Sequence, residues 1–188
     1  MKKLPAKFVV SKAPKEYLEQ GLIHCGAFSI KAILSAYGKD VKKDPKDYEP
    51  HILARYTSIS GGNAWLKVLQ NYSVSAQKGN TRNLSDEQRK DLLKKIISED
   101  KPVMLRIGNG YLKSGKYSPF IASFLGHWIT LWGYNDKEKS FYVYDSYVPA
   151  RRHDKNIPIG NTKRKFEEVL RDWGKGFPHS RRYSYIVA

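Results

Sequence analysis

CGAFSIKAILSAY, residues 25–37, predicts a helix that is apolar on nearly every side except for a stripe through Lys31 and Ser35. Gly38 follows directly, and glycine is the residue type that most often ends a helix. A helix whose polar stripe is this narrow is usually buried inside a domain, where other elements surround it. We therefore expect this helix to be the central element around which the rest of the chain packs.

The segments after this helix predict further helices and then strands. A second helix is expected over residues 63–72, and a capping box of Ser85 and Gln88 predicts the start of a third, over residues 86–100. A last helix is expected over residues 163–173, with Thr162 as its cap. Runs rich in β-branched and aromatic residues predict strands over residues 102–107, 127–134, 141–147 and 183–188.

The order of these elements indicates the α+β class, in which helices pack on an antiparallel sheet and leave a cleft at the seam. The polar stretch NDKEKS, residues 135–140, predicts a hairpin between the second and third strands. Residues 108–126 are long for a connection, and we expect either a mobile lid over the cleft or a disordered loop. With 188 residues and 40% hydrophobic content, the chain is expected to form a single domain, residues 1–188.

The chain is strongly basic. Its 34 lysines and arginines against 18 acidic residues give a formal charge of +16. This charge favours contact with an anionic partner, such as nucleic acid, an acidic protein, a cell-wall polymer or a lipid surface, but a solvated basic surface is the commoner explanation. No run of residues is long and apolar enough for a signal peptide or a membrane span, so we expect a soluble chain, and the sequence leaves its compartment open.

Cys25 is the only cysteine, so no disulfide can form within the chain. Its position at the first turn of the central helix places the thiol near unpaired backbone amides, which favour the thiolate that acts as a nucleophile. Gly26 removes side-chain bulk beside the sulfur. The alternative is an inert buried thiol, which is the commoner kind of free cysteine.

The predicted hairpin carries a histidine and an aspartate that could serve such a nucleophile. His127 begins one strand and Asp145 lies near the end of its partner. With a turn centred between Lys137 and Glu138, Asp145 would face a residue three positions beyond His127, about 10 Å away along the strand. We therefore expect a bulge or a shifted register, near Gly133, to bring the two side chains together.

Four stretches together resemble the papain-like peptidases of the double-glycine (bacteriocin-leader) peptidase family and their wider relatives. They are QGLIHCGAFSIKAILSAYG, KPVMLRIG, GHWITLWGYND and FYVYDS. The resemblance implies a papain-like fold, a peptide or protein substrate, and a catalytic triad of Cys25, His127 and Asp145. It also implies a glutamine that holds the oxyanion, which we assign to Gln20, although the family spacing falls on Glu19.

Two alternatives remain open beside a cysteine peptidase acting on a peptide or isopeptide bond. An acyl transferase would use the same triad, because an amine can intercept the same thioester. A basic binding module would use the fold without catalysis. We expect no cofactor, and no metal site either, because the histidines lack the spacing of metal ligands.

Overall fold

The computed structural model describes residues 3–42, 44–57, 60–112 and 114–188. The predictions for residues 1–188 and 108–126 include positions outside the described residues, namely Met1, Lys2, Lys43, Ser58, Ile59 and Lys113. The helices are α1 (Cys25–Ala36), α2 (Ile52–Thr57), α3 (Gly62–Asn71), α4 (Asp86–Ser98), α5 (Pro119–Phe124) and α6 (Phe166–Trp173). The strands are β1 (Lys7–Val9), β2 (Gln77–Asn80), β3 (Val103–Gly108), β4 (Gly126–Asn135), β5 (Ser140–Tyr144), β6 (Thr162–Lys165) and β7 (Ser184–Val187).

The strands form one antiparallel sheet in the order β2, β7, β3, β4, β5, β6. The short strand β1 pairs with the far end of β4. Helix α1 packs on β4 and against α3, whereas α4 and α6 pack on each other and on β3. The predicted α+β class is therefore confirmed, and its central strand β4 is the one on which α1 lies.

Helix α1 is the buried central helix that the sequence predicts, and every residue from Gly26 to Ser35 is buried. Its polar stripe is also buried. The buried Lys31 Nζ donates to Asp40 Oδ2 at 2.7 Å and to the carbonyl of Lys42 at 2.8 Å. A buried ammonium needs such partners to offset the loss of water. The stripe therefore binds the chain segment after α1 and does not face solvent.

Gly26 is required by the packing of α1 on α3. A Cβ atom at this position would lie 2.3 Å from Cζ2 of Trp65, which is 2% exposed. We expect Gly26→Ala to lower the free energy of unfolding by about 1–3 kcal/mol, because overpacking a close contact forces the indole to shift. Urea denaturation measures the change.

Gly21→Ala is the matched control for this substitution, because Gly21 has nothing within 4 Å of its Cβ position. It should change the free energy of unfolding by no more than about 0.5 kcal/mol. Equal losses in the two variants would show that Trp65 does not set the requirement for glycine.

The hairpin of β4 and β5 contains the predicted bulge. Tyr134 faces Phe141 and Gly133 faces Tyr142, but beyond the bulge Leu131 faces Val143. The register shift between Leu131 and Gly133 moves β5 one residue closer to the start of β4. Asp145, which follows the last residue of β5, is thereby brought toward His127.

The predicted helix over residues 163–173 is wrong in its first three residues. Residues 162–165 form β6, which pairs with β5, and the helix begins only at Phe166. Thr162 is therefore a strand residue and not a helix cap. Along β6 the side chain of Arg164 is buried between the exposed Lys163 and Lys165, which is the alternation of a strand with one buried face.

Candidate active site

Cys25 is the first residue of α1, as predicted, and its side chain is half-buried. The preceding residue, His24, has a left-handed backbone with φ 80°, a conformation that costs free energy for a residue with a side chain. Its Nδ1 atom lies 2.9 Å from Oε1 of the buried Glu49, an interaction that helps hold this sharp entry to the helix. The side chain of His24 does not cap the helix, and the first-turn amides of a helix favour a negative charge such as that of a thiolate.

His127 lies at the start of β4 and contacts both of its predicted partners. Its Nε2 atom is 2.7 Å from Asp145 Oδ1, and its ring also hydrogen-bonds the side chain of Cys25. Burial lowers the pKa of His127, but the charges and hydrogen bonds of Asp145 and Cys25 outweigh that effect and raise the pKa to about 9. The imidazole is thus stabilised in its protonated form, between a carboxylate and a sulfur.

Asp145 is 1% exposed, and each of its polar groups has a partner. Besides His127, its Oδ1 atom accepts a hydrogen bond from the amide of Tyr147 at 2.9 Å, and its Oδ2 atom accepts one from Arg164. Its backbone amide and carbonyl both bond the side-chain amide of Asn161, each at 2.9 Å. Burial acts to raise the pKa of Asp145, but the charges of His127 and Arg164 hold the pKa well below its usual range.

Two residues of this network, Arg164 and Asn161, were missed by the sequence analysis. The sequence predicts Arg164 in the last helix, yet it is a strand residue that is 6% exposed and lies between Asp145 and Asp172, with its Nη1 atom 3.8 Å from Asp172 Oδ2. The signal that could have found it is the alternation in TKRK, residues 162–165, once that segment is assigned to a strand. Asn161 carries no comparable pattern, because it lies in the irregular segment before β6.

Gln20 and Glu19 point to different surroundings. Gln20 is 4% exposed, its backbone amide donates to the carbonyl of Ser146 at 2.7 Å, and its Oε1 atom accepts from Ser146 Oγ at 2.5 Å. Glu19 is exposed, and its Oε2 atom accepts from the amide of Ala150 at 2.9 Å. Gln20 therefore lies directly beside the segment that carries Asp145, with its side-chain carbonyl oxygen bonded to Ser146.

Residues 108–126 are more regular than the predicted loop. The described part contains helix α5 and an isolated bridge between Tyr111 and Tyr117. Tyr117 donates a hydrogen bond from its hydroxyl to Asp172 Oδ1 at 2.5 Å, and Tyr111 stacks against the guanidinium of Arg164 at 4.7 Å. The segment is thus tied to the network behind Asp145.

Within residues 3–42, 44–57, 60–112 and 114–188, no three histidine, cysteine or acidic side chains come together in a way that could hold a metal ion. In the same part of the chain, no helix has the length and apolar character needed to cross a membrane.

A model described as the Peptidase C39 like family matches residues 15–176 of this chain. That range includes Cys25, His127, Asp145 and Arg164. No curated protein matches the sequence.

Three solved structures have similar folds at low sequence identity. A double glycine motif protease from an AMS/PCAT transporter, solved in complex with the leader peptide, gives a TM-score of 0.54 at 16% identity over 96% of this chain and 95% of the other. A C39-like peptidase from Bacillus anthracis gives 0.59 at 14% identity over 96% of each chain. Xylellain, a cysteine protease from Xylella fastidiosa, gives 0.58 at 13% identity over 98% of this chain and 86% of the other. The predicted papain-like fold is therefore confirmed.

Proposed function

Because the chain belongs to the Peptidase C39 like family and is by that membership a cysteine-type peptidase, we propose that Cys25, His127 and Asp145 are its catalytic triad. The reaction is the hydrolysis of a peptide or isopeptide bond through a thioester on Cys25. The observation that carries the proposal is the position of His127, whose ring contacts the carboxylate of Asp145 and the side chain of Cys25 together.

The two ring nitrogens of His127 have separate tasks in this mechanism. Nε2 carries a proton that it donates to the ionised Asp145, which fixes the orientation of the ring. Nδ1 is then the nitrogen that faces Cys25 and takes the thiol proton. The resulting imidazolium stabilises the thiolate, and the raised pKa of His127, about 9, keeps it protonated at neutral pH.

In the first step, the thiolate of Cys25 attacks the carbonyl carbon of the scissile bond, and a carbon–sulfur bond forms as the carbonyl oxygen becomes an oxyanion. The amide of Cys25 and the side-chain amide of Gln20 donate hydrogen bonds to that oxyanion. The tetrahedral species then collapses, the carbon–nitrogen bond breaks, and His127 gives its proton to the leaving amine.

In the second step, water attacks the thioester. His127 removes one proton from the water, the new carbon–oxygen bond forms, and the carbon–sulfur bond breaks to release a carboxylic acid. The sulfur leaves as a thiolate while the proton from water stays on His127, and the starting ion pair is restored. An acyl transferase would differ only here, because an amine would attack in place of water.

A peptide or protein is the substrate class we propose. The double glycine motif protease of similar fold was solved in complex with a leader peptide, which supports a peptide as the substrate of this chain. Which peptide sequence is cleaved is decided by groups outside the triad.

Alkylation of Cys25 by iodoacetamide tests the triad directly. We expect the intact protein to react rapidly at pH 6, because His127 carries its proton far below its pKa of about 9 and stabilises the thiolate. His127→Ala should react roughly 100-fold more slowly at pH 6 and become fast only near pH 8.5, where an ordinary thiol ionises. Mass spectrometry of the alkylated peptide gives both rates.

Slow alkylation of the intact protein at pH 6, equal to that of His127→Ala, would contradict the proposal and favour a basic binding module. If alkylation is fast, peptide hydrolysis in the presence of a free amine separates the two enzyme classes. A carboxylic acid product supports the peptidase, and a new amide bond supports the transferase.

A further inference from the structure

A second feature of the molecule lies beside the proposed triad and has no part in it. It is a pocket of about 220 Å³ between α3, the start of β4 and the segment before β7. We call it the arginine pocket, and it is lined by Gly61, Gly62, Asn63, Lys78, Arg106, Trp128, Ser180, Arg181 and Ser184.

Arg106 of β3 is the buried cation of this pocket. It is 6% exposed, and its Nη2 atom donates to the carbonyl of Phe177. Its Nη1 atom is buried and has no hydrogen-bond partner in the described structure. Burying an unpaired donor of a charged group costs free energy, so a site of this kind gains when an acceptor arrives.

Two more cations line the pocket, and no carboxylate does so among the residues that the structure describes. Arg181 extends over Gly61, with its guanidinium carbon 3.6 Å from the Cβ position of that glycine, and Lys78 donates to Asn63. Burial lowers the pKa of Arg106 to about 10, and the positive charge of Arg181 acts in the same direction. The two guanidinium groups therefore repel each other, and nothing in the lining of the pocket offsets the repulsion.

The arginine pocket is close to the nucleophile. Arg106 pairs with Trp128 across β3 and β4, and the next pair of the same ladder is Ile107 with His127. Arg106 also lies against Gly126, whose Cβ position is 2.2 Å from Nη2, and Gly126 directly precedes His127. A peptide bound across Cys25 would therefore place a neighbouring group at the pocket.

We propose that the arginine pocket binds a carboxylate of the peptide substrate, either an aspartate or glutamate side chain or a free C-terminal carboxylate. This inference rests on the proposed peptidase function and names its substrate class. A carboxylate can accept a hydrogen bond from Nη1 of Arg106, whose Nη2 is bonded to Phe177, and further hydrogen bonds from the guanidinium of Arg181. The bound carboxylate also offsets the repulsion between the two guanidinium groups. Part of the net charge of +16 would then serve to bind the substrate.

A peptide library tests the inference. Internally quenched octapeptides carry glutamate, glutamine or lysine at one fixed position at a time, and each pool is made with a free C-terminal acid and with an amide. If the carboxylate is a side chain, glutamate at one position should raise kcat/KM about 10- to 100-fold over glutamine. If it is the C terminus, the acid pools should exceed the amide pools by the same factor.

Arg181→Gln should remove the preference for the carboxylate, and Arg181→Glu should reverse a side-chain preference toward lysine. Arg151→Gln is the matched control, because Arg151 is exposed, lies outside the pocket, and its replacement lowers the net charge equally. A preference that survives Arg181→Gln, or that falls equally in Arg151→Gln, would overturn the inference.

Retention of the same pools on immobilised Cys25→Ala protein separates this inference from the proposed function. Selective retention of the carboxylate pools by Cys25→Ala, and its loss in the double variant Cys25→Ala with Arg181→Gln, would support the pocket. If the intact protein retains these pools but cleaves none of them, only the peptidase proposal is refuted. Equal cleavage and equal retention of all pools would refute the pocket and leave the peptidase proposal standing.

Discussion

Cys25→Ala is expected to reduce peptide hydrolysis by a factor of about 10⁴ or more, because the thioester can form only on the sulfur. The half-buried position of Cys25 at the first turn of α1 leaves the fold little dependent on the sulfur itself. We therefore expect kcat/KM to fall while the thermal unfolding temperature changes little. The measurement is the hydrolysis of the best-cleaved library pool, with enzyme concentrations high enough to detect the residual rate.

Ser29→Ala is the matched control on the same helix. Ser29 is buried one turn further along α1, and its hydroxyl donates a long bond of 3.5 Å to the carbonyl of Trp128. It should retain most of the activity. If kcat/KM of Cys25→Ala lies within tenfold of the value for the intact protein, Cys25 is not the nucleophile.

Arg164→Met is expected to have the largest effect on stability, a loss of about 3–5 kcal/mol in the free energy of unfolding. Arg164 is the cation between Asp145 and Asp172, which are both buried. Without it, these carboxylates remain in the interior with less to compensate their charge. Hydrolysis should fall as well, because Asp145 loses one of the bonds that hold it against His127.

Lys163→Met is the control for this prediction, because Lys163 is the preceding residue of β6 and its ion pair with Glu138 is on the surface. It should cost less than about 1 kcal/mol. Urea denaturation at pH 7 compares the two variants. Since the pKa of Asp145 is depressed by folding, its charged interactions stabilise the protein at pH 7, and this stabilisation is lost only as the pH falls below about 4. Equal losses in the two variants would show that Arg164 behaves as a surface residue.

The parts of the fold that could be predicted are those in which the local pattern and the packing agree. Residues 25–37 are apolar apart from the stripe through Lys31 and Ser35, and the structure forms α1 there with Gly26 to Ser35 buried. The separation of His127 and Asp145 required a bulge, and the structure has one between Leu131 and Gly133. The catalytic roles of these side chains stay predictions, but their meeting follows from hairpin geometry.

The parts that could not be predicted depend on contacts distant in sequence. Strand β2 has the polar sequence QKGN, and it is a strand only because it pairs with β7, more than a hundred residues later. The burial of Arg164 and Arg106 could not be predicted for a related reason. A charged residue is expected at the surface unless its buried partner is known. The partner of Arg164 is the carboxylate of Asp145, and the partner of Arg106 is the carbonyl of Phe177.

The order of the strands separates part of the arginine pocket from the residues that hold Asp145. Lys78 of the arginine pocket is on β2, at one edge of the sheet, and Arg164 is on β6, at the opposite edge. Substitutions along the first edge can therefore alter the choice of peptide without disturbing the carboxylate that orients His127. For an engineer, residues 77–80 and 180–184 are the places to vary, and residues 161–164 are the places to leave unchanged.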